Sequence, residues 1–372
     1  MIDLKTKKFV KILNNTLSRN SKVFLFKYYN KIGAYYNLRY GNFKKPNYPS
    51  TLSINLTNRC NINCTICDRD DPKVGLSMDF ENLAKLEKPI AHAKVIDLTG
   101  WGEAITYKKY PEAIKYIKSI NNTKKLFVQT SNGTAIDKYT EYLKGRIHKV
   151  VISLNAATKE TYEKEMFTNI DVGRGKFTKT LKNIEYFMTG ITKQDRLNIR
   201  LHFVTYKENY LEMPAFVELA NSLGIKSVSF GHFMAFNSEM EQLSLFHLKN
   251  EYNEMAVEAE KVGKKFNISV FYRKFYEDLG LTKNNCTYPF DSCFISPEGE
   301  IYPCCYIGDI SMGNVFQEDF DSIWYGKKIQ KLREAKNWKT CNTCAPFHSF
   351  DKITTHRTSH LNILPASKKL AI

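Results

Sequence analysis

The sequence predicts an α/β fold: an open partial barrel of six strand–helix repeats, followed by a small α+β extension that is rich in cysteine. Between residues 52 and 233, short strand-like runs alternate six times with longer helical patterns. Such alternation favours a parallel sheet with right-handed helical crossovers. The 372 residues, 43% of them hydrophobic, suffice for a barrel and an appended domain. Beyond residue 235 the alternation stops, and six of the nine cysteines lie there.

Each predicted strand is a short apolar run that ends in polar or glycine-containing sequence. We expect strands at 52–57, 95–99, 126–130, 150–154, 198–205 and 227–233. Helical patterns follow at 79–88, 111–120, 137–145, 159–166, 174–190 and 211–223. In α/β barrels the chemistry sits in the loops at the carboxyl ends of the strands, so these loops are the first place to look for a site.

The chain divides into five predicted segments. They are a basic helical arm (1–48), the barrel (49–240), a connection with a helix at 243–262 and a short strand at 268–272 (241–285), a cysteine-rich domain (286–344) and a basic tail (345–372). The arm ends at a pair of prolines and supplies +10 of the formal net charge of +17. Its interleaved aromatic residues suit an anionic membrane surface, a phosphorylated or nucleotide-linked substrate, or RNA. The alternative is a solvated arm packed on the barrel, whose charge serves solubility.

Neither a membrane span nor a secretory signal is expected. No apolar run approaches the roughly 18–20 residues of a span, and the N-terminus lacks an apolar region followed by a small-residue cleavage site. Nine cysteines without a signal peptide favour a reducing cytoplasm, where thiols are available to hold metal.

Three cysteines follow the first predicted strand at a C-x3-C-x2-C spacing: Cys60, Cys64 and Cys67. Three thiolates on a short loop can ligate three irons of a four-iron cube and leave the fourth iron open to a small molecule. Structural zinc usually takes C-x2-C pairs and a nearby fourth ligand, and no His or Cys follows until His92. A disulfide framework would need an oxidising compartment. The cube is therefore favoured over zinc and over disulfides.

This motif resembles that of the radical S-adenosylmethionine (SAM) superfamily. The resemblance implies a 4Fe–4S cluster on Cys60, Cys64 and Cys67, whose open iron binds the amino and carboxylate groups of SAM. One electron from the cluster then cleaves the sulfonium, and the 5′-deoxyadenosyl radical abstracts a substrate hydrogen. The family also has a partial (β/α)6 barrel, and a flavodoxin- or ferredoxin-type protein is the expected electron donor. Ile66 stands where the family usually has an aromatic residue near the adenine.

The loops after the later strands resemble the SAM contacts of this family. Gly100, Gly102 and Glu103 resemble the G-G-E-P motif that meets the SAM amino group, with Trp101 inserted and Ala104 in place of proline. Glycines let a backbone approach a ligand, and a carboxylate accepts from an ammonium. The other implied contacts are Ser131 and Asn132 after strand three, Ser153 and Asn155 at the ribose, and Arg200 at the SAM carboxylate. An ordinary turn is the alternative for the glycines, and a surface salt bridge is the alternative for Arg200.

The segment 286–344 resembles the SPASM and twitch extensions of radical SAM enzymes. The shared features are an opening cysteine, a hairpin ending in Pro-Cys-Cys, a Gly-Asn-Val sequence, an Ile-Trp helix and a closing C-x2-C. A twitch-type extension holds one auxiliary 4Fe–4S cluster, and its four positions match Cys286, Cys304, Cys341 and Cys344. A full SPASM extension needs more cysteines than this segment has, so we expect one auxiliary cluster. Half a zinc site is the alternative for the closing C-x2-C.

Two cysteines of the extension remain without an implied ligand role. Cys305 is interpreted as a small buried hydrophobe. Cys293 is the candidate catalytic residue, because in radical epimerases of this family a thiol gives a hydrogen atom to the substrate radical. The alternative for Cys293 is a packed thiol at the foot of the hairpin.

The resemblance implies a radical SAM enzyme, and we expect it to oxidise or epimerise a sugar-like or phosphorylated small metabolite. The basic tail and the lack of a peptide-binding winged-helix extension favour that substrate class. The alternative is radical epimerisation, cross-linking or oxidation of a ribosomally made peptide or protein. An iron–sulfur electron carrier is the non-enzymatic alternative, although the SAM-type loops would then have no role.

Overall fold

The structure is a computed structural model that describes residues 48–67, 73–120, 125–167, 169–233, 235, 239–275, 287–304 and 311–335. The predicted tail and all but residue 48 of the predicted arm lie outside these ranges, as does Cys305. Three of the four predicted auxiliary ligands, Cys286, Cys341 and Cys344, also lie outside them. No helix within the described ranges is long and apolar enough to cross a membrane.

One twisted sheet of nine strands organises the described part of the chain. The strands are β1 (Thr51–Ile54), β2 (Val95–Asp97), β3 (Leu126–Ser131), β4 (Ile147–Ser153), β5 (Ile199–Thr205), β6 (Ser227–His232), β7 (Ser269–Phe271), β8 (Ser292–Ile295) and β9 (Ile301–Tyr302). Their order in the sheet is β7-β6-β5-β4-β3-β2-β1-β8-β9. Every neighbouring pair is parallel except the hairpin β8–β9. Since β1 and β6 do not pair with each other, the sheet is an open partial barrel, as the sequence predicted.

Helices connect the strands in the order that the sequence predicted. They are α1 (Glu87–His92), α2 (Tyr110–Ser119), α3 (Thr140–Leu143), α4 (Lys159–Glu165), α5 (Ile170–Gly173), α6 (Lys176–Gly190), α7 (Lys193–Arg196), α8 (Met213–Ser222), α9 (Lys249–Phe266), α10 (Tyr288–Asp291), α11 (Phe320–Trp324) and α12 (Lys327–Ala335). Short 3-10 turns add Phe80–Leu86, Ala104–Thr106, Ile136–Tyr139, Tyr210–Glu212, Glu239–Leu243 and Leu245–His247. Proline lies in the first turn of α2 and α8, where its missing N–H and fixed φ are compatible with a helix.

The two faces of the sheet differ in polarity, as β5 illustrates. Ile199, Leu201 and Phe203 are buried on one face, while Arg200 and His202 alternate with them on the other, half-buried face. On the buried side, the ring of Phe203 packs on Phe216 of α8 with centroids 4.6 Å apart. Burying an aliphatic or aromatic side chain of this size contributes roughly 1.5–3 kcal/mol, so the helix-covered face holds the barrel together. The opposite face carries polar side chains such as Arg200 and His202 together with apolar ones such as Val151 and Val204.

The hairpin β8–β9 belongs to the same sheet as the barrel strands. Each residue of β8, from Ser292 to Ile295, is in parallel register with a residue of β1. An unpaired edge at β1 would expose backbone N–H and C=O groups, and β8 supplies their partner. Farther along, Tyr48 stacks on His92 at 4.1 Å and on Phe320 of α11 at 6.0 Å. The cysteine-rich segment is therefore built onto the first strand.

Candidate functional site

The loop after β1 carries the three predicted cluster thiols. Cys60 and Cys64 are half-buried and pack against the core, and Cys67 is exposed. A tight turn joins the last two, with the Cys67 N–H donating to the Cys64 carbonyl at 3.1 Å. The structure thus places all three thiols on one short loop at the carboxyl end of a central strand.

A buried carboxylate on α4 anchors this loop. The Thr65 N–H donates to the Glu165 carbonyl at 3.0 Å, and Thr65 Oγ1 donates to Glu165 Oε2 at 2.8 Å. Tyr206, after β5, donates its hydroxyl to the same Oε2 at 3.0 Å. Burial raises the pKa of Tyr206, as does the neighbouring Glu165 carboxylate, so Tyr206 stays a hydrogen-bond donor. Sequence reasoning missed Glu165, because a carboxylate on a predicted helix gives no sign that it faces inward.

Aromatic side chains lie near the third thiol even though the loop itself lacks one. Ile66 packs against a small buried cluster formed by Tyr206, Phe233 and Ala235. Aromatic residues that follow β5 and β6 therefore contact the residue next to the third thiol.

Asn132, which was predicted as a SAM contact, lies beside the first thiol. Its Nδ2 donates to Asn61 Oδ1 at 2.7 Å and lies 3.7 Å from Cys60 Sγ. Its Oδ1 accepts from Thr134 Oγ1 at 2.6 Å, and Asn61 Nδ2 donates to that hydroxyl at 2.7 Å. Hydrogen bonds to cluster sulfurs stabilise the thiolate and tune the redox potential. Asn132 therefore positions and polarises the Cys60 thiol.

Gly102 allows the loop after β2 to approach the backbone of the cluster loop, and Gly100 leaves room for the Asn55 side chain. A Cβ on Gly102 would lie 2.2 Å from the Arg59 carbonyl oxygen, and a Cβ on Gly100 would lie 1.9 Å from Asn55 Oδ1. The N–H of Glu103 also donates to the Arg59 carbonyl at 2.9 Å. Glycine is therefore needed at position 102 because the loop after β2 contacts the cluster loop. The sequence had suggested instead that glycine lets a ligand approach the backbone.

The Glu103 carboxylate is directed into the protein. Its exposed fraction is 2%, its Oε2 accepts from the Asn132 N–H at 2.7 Å, and its Oε1 accepts from the Tyr139 hydroxyl at 2.5 Å. Burial raises the pKa of Glu103, whereas hydrogen bonds from Tyr139, Asn132 and Ser131 lower it. These contacts make Glu103 a support for the loop after β3. A carboxylate has about four acceptor positions, so the predicted contact with an ammonium group remains a prediction.

The remaining polar positions after β3 and β4 support the backbone. Ser131 Oγ accepts from the Gly133 N–H at 3.1 Å. Asn155 adopts a left-handed φ of 59°, which asparagine tolerates. Its Oδ1 accepts from Ser153 Oγ at 3.2 Å and from the Val204 N–H at 2.9 Å. Ser153 and Asn155 therefore lie together and join β4 to β5, and their contact with the ribose remains a prediction.

Arg200 is directed toward the β7 end of the sheet. Its Nε donates to Ser227 Oγ at 3.0 Å, and its guanidinium lies 4.1 Å from the centroid of the Phe271 ring. Burial lowers the pKa of Arg200. Arg200 forms no ion pair with any described residue, so the salt-bridge alternative is not seen there, and the predicted contact with the SAM carboxylate remains a prediction.

Cys293 lies in the hydrophobic core. It is 1% exposed, is in register with Leu52 of β1, and burial raises the pKa of its thiol. A thiol enclosed in this way presents no face to a substrate radical, so the predicted hydrogen-donor role does not fit. The packed-thiol alternative does fit.

Trp101 joins the loop after β2 to the cysteine-rich segment. Its ring packs on Phe294 of β8 at 4.9 Å and on Tyr302 of β9 at 6.4 Å. Cys304, the one predicted auxiliary ligand among the described residues, is half-buried two residues after Tyr302. Sequence reasoning had treated Trp101 as an interruption of a glycine motif. Phe294 and Tyr302 in the predicted hairpin were the sequence features that could have indicated the packing of Trp101.

The donor set fits an iron–sulfur cube better than a single ion. Within the described ranges, no three His, Cys, Asp or Glu side chains converge on a single metal ion. In a cube, each cysteine binds a different iron, so convergence on one point is not required. Three thiols on one loop, with an amide N–H at Cys60 Sγ, provide ligands for three irons and a hydrogen bond to sulfur.

Two family models match the chain. Residues 54–232 match the radical SAM superfamily, and residues 286–345 match SPASM, described as an iron–sulfur cluster-binding domain. These ranges contain the cluster loop and all four predicted auxiliary ligands.

Two curated relatives cover most of the chain. The antilisterial bacteriocin subtilosin biosynthesis protein AlbA of Bacillus subtilis is 23% identical over 297 residues, which are 77% of this chain and 62% of AlbA. The AdoMet-dependent heme synthase of Methanosarcina barkeri is 24% identical over 336 residues, which are 80% of this chain and 89% of the synthase. The chain thus spans less than two thirds of AlbA and most of the heme synthase.

Solved structures of SuiB from Streptococcus suis share the fold. SuiB bound to S-adenosylmethionine superposes with a TM-score of 0.58 at 17% identity, covering 87% of this chain and 77% of SuiB. SuiB bound to its precursor peptide SuiA superposes with a TM-score of 0.57 at 15% identity, covering 78% and 68%. From the family matches and this fold, the cofactors of the chain are 4Fe–4S clusters and SAM. This protein belongs to the radical SAM superfamily and carries a C-terminal SPASM iron–sulfur domain.

Proposed function

We propose that this radical SAM enzyme modifies a peptide or protein. The main support for radical chemistry is the cluster loop, which carries three thiols. The loops that resemble SAM-binding motifs surround it, and Asn132 contacts the first thiol. When bound there, the cluster supplies the electron that cleaves SAM to a 5′-deoxyadenosyl radical.

The residues around the loop have distinct proposed roles. Cys60, Cys64 and Cys67 hold the SAM cluster, and Cys286, Cys304, Cys341 and Cys344 hold one auxiliary cluster. Asn132 keeps the Cys60 thiolate hydrogen-bonded. Glu165 fixes the end of the loop through Thr65. Gly102 lets the loop after β2 lie directly on the Arg59 carbonyl, which excludes water between the two loops.

Peptide modification replaces the small metabolite that the sequence favoured. AlbA takes part in the biosynthesis of a bacteriocin, and SuiB has been crystallised with a precursor peptide, so both likenesses support a peptide. The half-buried face of the sheet offers Ser153, His202 and Ser229, which are neutral hydrogen-bonding groups suited to peptide amides. Burial lowers the pKa of His202 to about 4, which keeps its ring neutral.

The test is an anaerobic assay of the reconstituted enzyme with SAM, a reductant and synthetic peptides from short reading frames beside its gene. We expect one peptide to stimulate 5′-deoxyadenosine release and to change in mass, or to gain deuterium from D2O if it is epimerised. The Cys60→Ala variant is the control and should do neither. Release stimulated by a sugar or phosphorylated metabolite, and by no peptide, would contradict the proposal.

A tetrapyrrole substrate is the second candidate. The heme synthase match supports it, because that match spans 89% of the synthase. Iron-free and iron-loaded tetrapyrroles are the probes, and binding is followed by the shift of their absorption band. A tight complex that also stimulates 5′-deoxyadenosine release would replace the peptide proposal.

A further inference from the structure

We propose that Arg333 is a fixed positive charge beside the auxiliary iron–sulfur cluster and makes that cluster easier to reduce. Arg333 lies on α12, inside the segment that matches the iron–sulfur cluster-binding domain. The role rests on the auxiliary cluster of the proposed function, whichever substrate the enzyme modifies.

The guanidinium of Arg333 is enclosed and held in one orientation. The residue is 1% exposed, and its guanidinium carbon lies 4.4 Å from the centroid of the Trp324 ring. Its Nε donates to the Pro289 carbonyl at 2.9 Å, and its Nη1 donates to the Trp324 carbonyl at 2.8 Å. Two backbone carbonyls and one aromatic ring therefore fix the direction of the remaining nitrogen, Nη2.

This remaining nitrogen is a buried donor that the described residues do not satisfy. Nη2 makes no hydrogen bond to any of them, and Arg333 forms no ion pair within the same ranges. Burial lowers the pKa of Arg333 to about 9, so the group still carries its charge at neutral pH. A buried charge without a counter-charge is strongly unfavourable. We therefore expect an anion at Nη2.

The contacts of Arg333 connect two segments that lead to predicted auxiliary ligands. Pro289, whose carbonyl accepts from Nε, follows Cys286 by three positions in the sequence. The helix α12 ends at Ala335, six positions before Cys341. Arg333 is thus fixed between the helix that follows the first of these cysteines and the helix that precedes the closing pair.

An auxiliary cluster supplies an anion of the required kind. Four thiolates and four sulfides outweigh the charge of the irons, so a 4Fe–4S cluster on four cysteines is negative, and its reduction adds one more negative charge. A fixed cation stabilises the reduced form more than the oxidised form, and it does so more strongly in a protein interior than in water. Arg333 thereby raises the midpoint potential of the cluster, which makes the cluster a better acceptor of an electron from a substrate radical.

The test is a redox titration of the full chain after anaerobic reconstitution. It is performed on the chain with all its cysteines and on the Cys60→Ala/Cys64→Ala/Cys67→Ala variant, in which the auxiliary cluster alone is expected. Arg333→Gln removes the charge and keeps an amide that can donate to a carbonyl. Lys331→Gln is the matched control, since it removes an exposed cation from the same helix.

We expect Arg333→Gln to lower the equilibrium constant for one-electron reduction of the auxiliary cluster about tenfold, a shift of about 59 mV to a more negative potential. Lys331→Gln should stay within about twofold of wild type, because water and salt screen an exposed charge. Arg333→Lys keeps a positive charge and should recover most of the loss. Iron and sulfide are measured in every variant, so that each midpoint refers to a loaded cluster.

Equal midpoints in Arg333→Gln and Lys331→Gln would overturn the proposal and would assign Nη2 to a carboxylate outside the described ranges. If Arg333→Gln loses its iron, Arg333→Lys decides. A loaded cluster with the wild-type midpoint supports the role of the charge, whereas loss of iron from Arg333→Lys as well would make the role structural and overturn the proposal. Absence of iron from the triple cysteine variant with Arg333 intact would instead refute the auxiliary cluster itself.

Discussion

The indole of Trp101 lies on the ring of Phe294, with centroids 4.9 Å apart and planes 34° from parallel. Trp101 precedes Gly102, which lies against the Arg59 carbonyl of the cluster loop, and Phe294 belongs to the strand that begins the β8–β9 hairpin. One aromatic contact therefore joins the loop after β2, which packs on the cluster loop, to the segment that carries Cys304.

Replacing Trp101 with alanine is expected to destabilise this junction. Burial of the ring is partial, so we expect a loss of about 2–4 kcal/mol in the free energy of unfolding, below the full range for a buried tryptophan. Urea denaturation measures it. Trp101→Phe retains an aromatic ring on Phe294 and should lose less than half as much. Equal stability of the alanine variant and wild type would contradict a structural role for the contact.

Iron content should report the two groups of cysteines separately. Two cubes predict about eight irons per chain, and removal of Cys60, Cys64 and Cys67 together should leave about four. Cys293→Ala is the matched control, because this thiol is enclosed in the core and should leave the iron content unchanged. The measurement is iron and sulfide analysis after anaerobic reconstitution. Zinc in place of iron would contradict the assignment of both sites.

Loss of the Asn132 amide should make the SAM cluster harder to reduce. Its Nδ2 approaches Cys60 Sγ, and hydrogen bonds to ligand sulfur favour the reduced cluster. Asn132→Ala should therefore move the midpoint potential to a more negative value, as followed by spectroscopic redox titration. Asn183→Ala is the control, since Asn183 bonds to the Thr134 carbonyl and not to a thiol. An unchanged midpoint in Asn132→Ala would contradict the contact.

The contribution of His202 to stability should grow with pH between about 4 and 6.5. Burial lowers the pKa of this half-buried histidine from 6.5 to about 4, and Ser229 Oγ lies 2.9 Å from its Nδ1. Between these values His202 binds more protons in the unfolded chain than in the folded one, so its contribution of about 3 kcal/mol is lost as pH falls. Burial also lowers the pKa of His232 to about 4 and raises the pKa of Glu103, which acts in the opposite direction, so the difference between wild type and His202→Asn isolates the contribution of His202.

Unfolding measured across this pH range checks the prediction. His247→Asn, at an exposed ring, should keep the wild-type slope. A slope that is unchanged in His202→Asn would contradict the neutral state of His202.

Local patterns were enough to predict the cluster loop and the six repeats, because periodicity and cysteine spacing are local properties. The short strand predicted at 268–272 is present as β7 at Ser269–Phe271, and the hairpin predicted before Pro-Cys-Cys is present as β8 and β9. The positions that sequence could not fix depend on distant partners. The direction of the Arg200 side chain depends on its contact with Phe271 of β7, and that of Trp101 depends on its contact with Phe294 of β8.

The burial of polar side chains was the other feature that the sequence did not predict. Glu103 and Glu165 are carboxylates that sequence patterns place on loops and helices, where acids usually meet water. Their burial follows from Tyr139 and Thr65, which donate to them from other parts of the chain. The pairing of β8 with β1 likewise joins residues about 240 positions apart, and no local signal encodes it.

The pairing of β8 with β1 also limits where the chain can be truncated. Expression of the first 285 residues alone would leave one side of β1 without its hydrogen-bonded neighbour, next to an exposed Trp101 ring. We expect such a fragment to self-associate through that side, and separately expressed halves to fail to reassemble into active enzyme. We therefore expect the two iron–sulfur segments of this chain to fold as one cooperative unit.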